Sequence, residues 1–342
     1  MFQVLNHTAA RDSTSCDILK AKESVLMREL GRSGIKVGVL AFGGNVFGWT
    51  ADESTSFQLL DAFIDSGLNL IDTADVYSTW GSGHVGGESE TVIGNWLKKS
   101  GKRDKVVIAT KVGKPMPPDR KGLSRKYIEQ AVEDSLRRLQ TDYIDLYQSH
   151  EDDPNTPLEE TLAAFDDLVK KGKVRAIGAS NYSGARLSQA MQLSRDSHLA
   201  RYESLQPEYN LYAREKFERE LQPVCEREGL GVIPYFSLAA GFLTGKYRSE
   251  QDLSKSPRGQ GIKKYLNDRG HRILSALDTV AKNIGATPAQ VALAWLIAQP
   301  TITAPLVSAT SVAQWKQLLP AANLKLGQDA LAALQSGSDF AQ

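Results

Sequence analysis

The chain has 342 residues, of which 41% are hydrophobic and 24% are charged, and its formal net charge is +1. This near-neutral balance gives no electrostatic basis for binding nucleic acid or a membrane surface. Two cysteines, Cys16 and Cys225, are too few for a disulfide framework or a four-cysteine metal site, so we expect a reducing, cytoplasmic environment and no metal.

The first 26 residues lack the apolar block of a secretory signal, and a more regular sequence begins at Met27. We therefore expect Met1–Leu26 to be a disordered leader or a non-native extension. Residues 27–342 are predicted to form one domain, because a barrel of about 250 residues with added loops is a natural size for such a chain. No apolar run reaches the roughly 18 residues that a membrane span needs.

From Val37 onward, short apolar runs alternate with longer amphipathic runs. The predicted strands are Val37–Phe42, Leu68–Thr73, Lys105–Lys111, Tyr143–Ser149, Val174–Ala179, Glu203–Gln206, Gly231–Tyr235 and Thr303–Val307. The predicted helices are Ser56–Ser66, Ser89–Lys99, Ser124–Leu139, Pro157–Lys170, Ser183–Leu193, Arg214–Glu228 and Pro288–Ala298. Ser124 is a predicted N-cap, because apolar residues recur at helical spacing after it.

Eight predicted strands that alternate with helices indicate a parallel sheet, and eight is the number that closes a (β/α)8 TIM barrel. An open, doubly wound sheet is the alternative, because alternation alone does not distinguish a closed sheet from an open one. Gly81–Gly86 satisfies the G-x-G-x-x-G pattern of a Rossmann fold, but seven residues separate it from the preceding strand. We interpret it as part of a substrate loop.

Four polar side chains lie at or just beyond the ends of predicted strands, namely Asp72, Tyr77, Lys111 and His150. In a barrel, the carboxyl ends of the parallel strands converge on one face, so residues distant in sequence can meet there. An acid, a phenol, an ammonium and an imidazole in one cleft suit proton transfer to a carbonyl oxygen. The four residues therefore predict the proton-transfer part of the reaction of a reductase.

Five motifs in the order of the chain resemble those of the aldo-keto reductases. They are Asp72-Thr73-Ala74-Asp75-Val76-Tyr77, Gly87-Glu88-Ser89-Glu90 with Gly94, Ser135-Leu136-Arg137-Arg138-Leu139 with Asp142-Tyr143-Ile144-Asp145-Leu146 and His150, Gly178-Ala179-Ser180-Asn181, and Gln206-Pro207-Glu208-Tyr209-Asn210. Gly241–Lys246 resembles the bacterial branch that is related to potassium-channel β-subunits. The resemblance runs from about Met27 to the C-terminus.

The resemblance implies a (β/α)8 barrel that binds NADPH without a Rossmann fold and reversibly reduces small aldehydes or ketones to alcohols. It implies that Tyr77 is the proton donor, that Lys111 and Asp72 form the ion pair beside it, and that His150 orients the substrate carbonyl. A free tyrosine has a pKa of about 10. We expect the Lys111 ammonium to lower the pKa of Tyr77, and Asp72 to compensate the buried charge of Lys111.

The resemblance also implies a set of cofactor contacts. Ser180, Asn181 and Gln206 match residues that bind the nicotinamide carboxamide, and Tyr235 matches the aromatic residue that stacks on the ring. The remaining expected cofactor positions are Gly44, Asn45, Asp72, Phe236, Ser237, Leu238, Gly241, Lys246, Ser308, Thr310 and Gln314.

The residues expected to contact the adenosine end of the cofactor depart from the family pattern. Thr310 stands where the family often has an arginine or lysine against the 2′-phosphate, and Leu318 replaces the usual asparagine, although Gln314 is retained. A hydroxyl lacks the charge that makes arginine a strong phosphate ligand. NADPH is the expected cofactor, with NADH as the alternative.

Trp49, Trp80 and Tyr209 are expected to line an aromatic substrate cleft. The identity of the carbonyl substrate and the oligomeric state cannot be predicted from the sequence. Two other functions compete with the reductase. One is a redox-sensing subunit that binds NADPH and turns it over slowly, and the other is an aldolase that uses Lys111 as a Schiff base.

Overall fold

The structure is a computed structural model that describes residues 25–255 and 259–341. Most of the predicted leader Met1–Leu26, together with Cys16, lies outside the described residues, so that domain assignment stays a prediction. Cys225 is buried and unpaired. Among the described residues, no helix is both long and apolar enough to cross a membrane.

The described residues form ten strands and ten α-helices. The strands are β1 (Met27–Glu29), β2 (Lys36–Gly38), β3 (Ala41–Gly43), β4 (Leu70–Asp72), β5 (Val107–Val112), β6 (Ile144–Ser149), β7 (Val174–Ser180), β8 (Tyr202–Gln206), β9 (Gly231–Val232) and β10 (Leu306–Val307). The helices are α1 (Glu53–Asp65), α2 (Glu88–Ser100), α3 (Arg125–Leu139), α4 (Leu158–Lys170), α5 (Gly184–Asp196), α6 (Gln222–Glu228), α7 (Asp268–Ile284), α8 (Pro288–Ala298), α9 (Val312–Leu318) and α10 (Gln328–Gly337).

Eight strands, β3 to β10, form one parallel sheet in the order β10-β3-β4-β5-β6-β7-β8-β9. The two outer strands of this order also meet. The amide of Leu306 donates to the carbonyl of Pro234 over 2.9 Å, and the amide of Thr303 donates to the carbonyl of Val232 over 2.8 Å. The sheet therefore closes on itself, which confirms the predicted (β/α)8 barrel and excludes the open alternative.

The predicted strand Val37–Phe42 is wrong as a single element. Its first part belongs to β2, which pairs antiparallel with β1 in a hairpin, and its last part belongs to β3 of the barrel. The chain turns between them at Val39 and Leu40, which are fully buried. An apolar run shows that a segment is buried, but it does not show where the segment bends.

Apolar side chains fill both sides of the barrel wall. The inner cluster joins Leu30, Ile35 and Val37 of the hairpin region to strand residues such as Leu70 and Ala109. The hairpin therefore covers the end of the barrel where the strands begin. The outer cluster packs the other face of each strand against the helices. The polar side chains that face inward lie at the opposite end of the barrel, at the carboxyl ends of the strands.

The helices begin largely where the sequence predicts. Ser124 caps α3, as predicted, by accepting a hydrogen bond from the amide of Tyr127. The predicted helix Arg214–Glu228 is interrupted, because a π-helical turn at Phe217–Leu221 precedes α6. Three helices of the C-terminal third were not predicted, namely α7, α9 and α10.

Candidate active site

The alternation of side chains along each strand aims polar groups into the mouth of the barrel. Leu70 and Ala109 belong to the inner apolar cluster, and Asp72 and Lys111 lie two residues further along the same strands. Because strand side chains repeat every second residue, both polar side chains face the barrel axis. Asp72 and Lys111 are completely buried. Tyr77 follows on the turn beyond β4.

The Lys111 ammonium uses all three of its N–H donors within the site. Its Nζ atom donates to Asp72 Oδ2 at 2.7 Å, to the carbonyl oxygen of Thr73 at 2.8 Å and to the Tyr77 hydroxyl at 2.8 Å. The Tyr77 hydroxyl in turn donates to Asp72 Oδ2 over 3.2 Å. This last distance is longer than an ordinary O–H···O hydrogen bond. The phenol proton is therefore held loosely and is available to another acceptor.

The second oxygen of Asp72 is held by two amide side chains. Gln206 Nε2 donates to Asp72 Oδ1 at 2.8 Å, and Gln148 Nε2 donates to the same atom at 3.4 Å. Gln148 lies beside Lys111 in the sheet register. Gln148 was not predicted as a site residue, although it lies two residues before His150 on the same alternating pattern. These contacts compensate part of the cost of burying the carboxylate.

His150 lies against the ring of Tyr77. The two ring centroids are 6.0 Å apart in an edge-to-face arrangement. The Nδ1 atom of His150 is buried and makes no hydrogen bond within residues 25–255 and 259–341, which leaves Nε2 as the nitrogen that can reach a ligand. Burial and the nearby charges of Lys111 and Lys114 lower the pKa of His150 well below 6.5. The imidazole is therefore neutral at pH 7.

The pKa of Tyr77 is shifted in the direction opposite to the prediction. Burial raises the pKa of the phenol well above 10.0, and the adjacent Asp72 carboxylate adds to this effect. Burial also lowers the pKa of Lys111, against the opposing effect of Asp72. The expected decrease followed from the charge of Lys111 alone, whereas the ion pair with Asp72 compensates that charge and leaves desolvation dominant. Tyr77 is therefore protonated at neutral pH, as a proton donor must be.

The structure brings together the residues expected to hold the nicotinamide. Ser180 and Gln206 are neighbours in the sheet, and the Ser180 hydroxyl donates to the carbonyl of Gln206 at 2.8 Å. Asn181 donates to the carbonyl of His150 at 2.9 Å and accepts from the Tyr235 hydroxyl at 2.8 Å. Tyr235 is also near enough to Tyr77 to raise its pKa. The expected ring site therefore adjoins the proton donor.

The segment that follows Tyr235 has an unusual backbone. Phe236, Ala239, Ala240 and Gly241 have φ values of +53°, +47°, +55° and +101°. Residues other than glycine rarely adopt positive φ, so this loop is held in a strained form that is typical of ligand-binding loops. Successive amides in such conformations form concave anion sites.

The other expected residues of this loop differ in exposure. The Ser237 hydroxyl is buried and donates to the carbonyl of Pro234 at 3.3 Å, while Leu238 packs against the core. Lys246 is exposed beyond the loop, with its ammonium 4.9 Å from the ring of Tyr247. A cation beside a row of amides suits a pyrophosphate.

Two further groups of expected cofactor residues also lie near the strand ends. The Ser308 hydroxyl contacts the carbonyl of Gly43 at 2.7 Å and Oδ1 of Asn45 at 2.6 Å, so the Gly44–Asn45 turn meets the end of β10. Thr310 and Gln314 are exposed and bonded to each other, with the Thr310 amide donating to Gln314 Oε1 at 2.8 Å.

Aromatic side chains lead from Tyr77 to the surface. The rings of Tyr77 and Trp80 are 5.8 Å apart, and those of Trp80 and Trp49 are 5.7 Å apart. Trp80 is 48% exposed and Trp49 is 36% exposed, which suits a surface that a substrate could cover. Tyr209 is 1% exposed and donates to Glu218 Oε1 at 2.9 Å. Tyr209 is therefore buried, and its role in lining the cleft stays a prediction.

Taken together, the mouth of the barrel holds a protonated phenol, a salt-bridged ammonium and a neutral imidazole. These groups can give a proton to a carbonyl oxygen and stabilise the charge that develops on it. Within the described part of the chain, no three histidine, cysteine, aspartate or glutamate side chains come close enough to hold a metal ion.

Comparison with known proteins agrees with the fold. The model of the aldo/keto reductase family matches residues 38–339. The chain is 37% identical over 311 residues to the uncharacterized oxidoreductase YrpG of Bacillus subtilis, which covers 88% of this chain and 92% of the relative. It is 37% identical over 274 residues to the aldo-keto reductase YhdN of the same organism, covering 78% of each.

A plant relative is also similar. The chain is 34% identical over 306 residues to a probable voltage-gated potassium channel subunit beta of Arabidopsis thaliana, covering 87% of this chain and 91% of the relative. This match confirms the predicted relationship to channel β-subunits. The family match and the oxidoreductase relatives support NAD(P)H-dependent oxidoreduction in general. On these grounds we conclude that the chain belongs to the aldo/keto reductase family.

Proposed function

We propose that this protein reduces a small aldehyde or ketone to an alcohol with NADPH as the reductant and Tyr77 as the proton donor. The observation that carries the proposal is the position of Lys111 Nζ, which is 2.8 Å from the Tyr77 hydroxyl and 2.7 Å from Asp72 Oδ2 in a buried site. A carbonyl oxygen that gains negative charge needs this combination of a proton and a nearby cation.

The protein residues have distinct roles in this proposal. The Tyr77 phenol gives up its long contact with Asp72 and donates to the substrate oxygen. Lys111 stays within hydrogen-bond distance and stabilises the phenolate that remains. His150 is neutral, so it orients the carbonyl as a hydrogen-bond donor and adds no charge. In the reverse direction, the phenolate takes the proton back.

The residues present fit a nicotinamide dinucleotide. Ser180, Asn181 and Gln206 would hold the carboxamide, Tyr235 would stack on the ring, and the loop from Phe236 to Gly241 would hold the pyrophosphate. When bound, the reduced cofactor supplies a hydride to the carbonyl carbon. NADPH remains the proposed cofactor, with NADH as the alternative because Thr310 brings no charge to the ribose end.

The test is a screen for cofactor oxidation with short aldehydes, ketoses and aromatic aldehydes as substrates. Oxidation is measured as the loss of absorbance of NADPH, and in parallel of NADH. We expect multiple turnovers with at least one carbonyl class. If no carbonyl is reduced by a protein that binds NADPH, the proposal fails.

A second candidate function rests on the similarity to the plant potassium channel subunit beta. In that case the protein would be a redox-sensing subunit that retains NADPH and turns it over slowly. One slow turnover with tight retention of the cofactor would favour this function. An aldolase is less compatible with the site, because all three N–H donors of Lys111 are occupied and its side chain is inaccessible to solvent.

A further inference from the structure

One buried acid in the turn that carries Tyr77 has no role in the mechanism above. Asp75 lies between Asp72 and Tyr77, and its amide donates to the carbonyl of Lys111 at 3.2 Å. The amide of Tyr77 closes the same turn by donating to the carbonyl of Ala74 at 3.2 Å. The backbone of Asp75 therefore connects the turn of the proton donor to the strand of the lysine.

The side chain of Asp75 is 1% exposed, and neither carboxyl oxygen has a hydrogen-bond partner within residues 25–255 and 259–341. The amide of Val76 is near the carboxyl but does not meet hydrogen-bond geometry. A buried carboxylate without partners has a large desolvation cost, which a neutral carboxylic acid avoids.

Among the described residues, the cations that interact with Asp75 are hydrogen-bonded to other groups. The groups that interact with it electrostatically are Glu90 of α2, Tyr127 and Arg138 of α3, Arg120 of the loop before α3, Lys111 of β5 and Tyr147 of β6. Arg138 Nε already donates to Glu90 Oε2 at 2.6 Å, and Lys111 is bonded to Asp72. Arg120 donates to the carbonyls of Pro117 and Val85.

Two phenols that interact with Asp75 can accept a hydrogen bond from a protonated carboxyl group. The hydroxyls of Tyr127 and Tyr147 are buried and make no hydrogen bond to the described residues. Burial and Glu90 raise the pKa of Asp75 to about 8, with smaller opposing effects from Arg138, Val76 and Arg120. The acid is therefore mainly neutral at pH 7.

We propose that Asp75 is a positioning residue whose side chain, as a neutral carboxylic acid, keeps the turn from Ala74 to Tyr77 seated against Lys111. Ionisation would place a second carboxylate beside Glu90 in a buried cluster where Arg138 is already paired with Glu90 and Arg120 is bonded to backbone carbonyls. The turn would then move toward water, and the Tyr77 hydroxyl would leave its place 2.8 Å from Lys111 Nζ.

This inference rests on the proposed reductase function, so the first measurement uses the protein without substrate. Infrared difference spectra between the wild type and Asp75→Asn should show the C=O stretch of one protonated carboxylic acid at pH 6.5. The band should disappear with a midpoint at about pH 8. A wild type without this band would overturn the inference, whether or not the protein reduces carbonyls.

The second measurement is the pH dependence of kcat for carbonyl reduction. One ionisation near pH 8 lowers kcat of the wild type about tenfold between pH 7 and pH 9, because only the protonated form is active. Asp75→Asn is a neutral isostere and should change less than twofold over this range. Asp119→Asn, an exposed acid on the neighbouring loop, should keep the decline of the wild type.

The affinity for NADPH, measured by fluorescence titration, should be the same at pH 7 and pH 9, because Asp75 acts on the position of Tyr77. An alkaline decline that persists in Asp75→Asn, or a flat wild-type profile, would contradict the positioning role. A protein with the infrared band but without any carbonyl reduction would refute the proposed function while leaving the buried acid in place.

Discussion

Removal of the Lys111 ammonium tests how the site balances its buried charges. In Lys111→Met, the Asp72 carboxylate loses its ion-pair partner at 2.7 Å and keeps its hydrogen bonds from Tyr77, Gln148 and Gln206. Breaking a buried pair from one side costs about 3–5 kcal/mol. This loss in the free energy of unfolding has an upper limit, because protonation of the carboxyl would remove the unpaired charge. For a carboxyl with the ordinary aspartate pKa, protonation at pH 7 costs about 4 kcal/mol.

The pH dependence of this loss follows from the same limit. At pH 5, protonating an ordinary carboxyl costs only about 1.5 kcal/mol, so we expect the deficit of Lys111→Met to shrink on acidification. The double variant Asp72→Asn/Lys111→Met leaves no unpaired charge and should recover at least about 2 kcal/mol relative to Lys111→Met. Lys105→Met removes an exposed ion pair with Asp104 and should have no measurable effect.

The assay is urea unfolding followed by tryptophan fluorescence and by circular dichroism. Free energies are compared only where the two transitions coincide, as two-state unfolding requires. If Lys111→Met unfolds with the free energy of the wild type, or if the double variant is less stable than Lys111→Met, the argument about charge balance is refuted.

Three further predictions concern the cofactor end, the helix packing and the imidazole. Thr310→Arg should tighten NADPH more than NADH in fluorescence titrations, because it adds a cation, and equal changes would count against this position. Gly94→Ala should lower Tm, since a Cβ atom would lie 2.0 Å from the Arg138 carbonyl, whereas Gly327→Ala has open space and should not. Stability should fall as pH drops below 6.5, because the unfolded state binds a proton that the buried His150 does not. His150→Gln should remove that part of the pH dependence in thermal unfolding, and an unchanged slope would exclude His150 as its source.

Much of the fold could be predicted because parallel barrel strands are buried on both faces. The runs ending in Asp72, Lys111 and Ser149 are mostly apolar, and the strands they form are fully buried. Their position before helices predicts the barrel. Strand β2 of the hairpin could not be separated from β3 in this way, since Val37–Phe42 is one continuous run without a polar side chain. The signal of the hairpin is the turn with glycines at positive φ, Gly31 and Gly34, between two short strands.

The residues of the candidate site could be listed from the sequence, but their electrostatics could not. The direction of the pKa shift of Tyr77 depends on how deeply the phenol and the Lys111–Asp72 pair are buried. Gln148 could have been found by extending the inward alternation from His150. The burial of Tyr209 could not be predicted, because it depends on packing against Trp295, which is distant in sequence.

The most direct test of the central claim is the turnover of Tyr77→Phe. The variant keeps the ring contacts with Trp80 and His150 and loses only the hydroxyl next to Lys111. We predict that kcat falls by a factor on the order of 10² or more while the affinity for NADPH is unchanged. Tyr143→Phe, at the opposite end of the barrel, is the matched control. Turnover of Tyr77→Phe at the wild-type rate would contradict the assignment of Tyr77 as the proton donor.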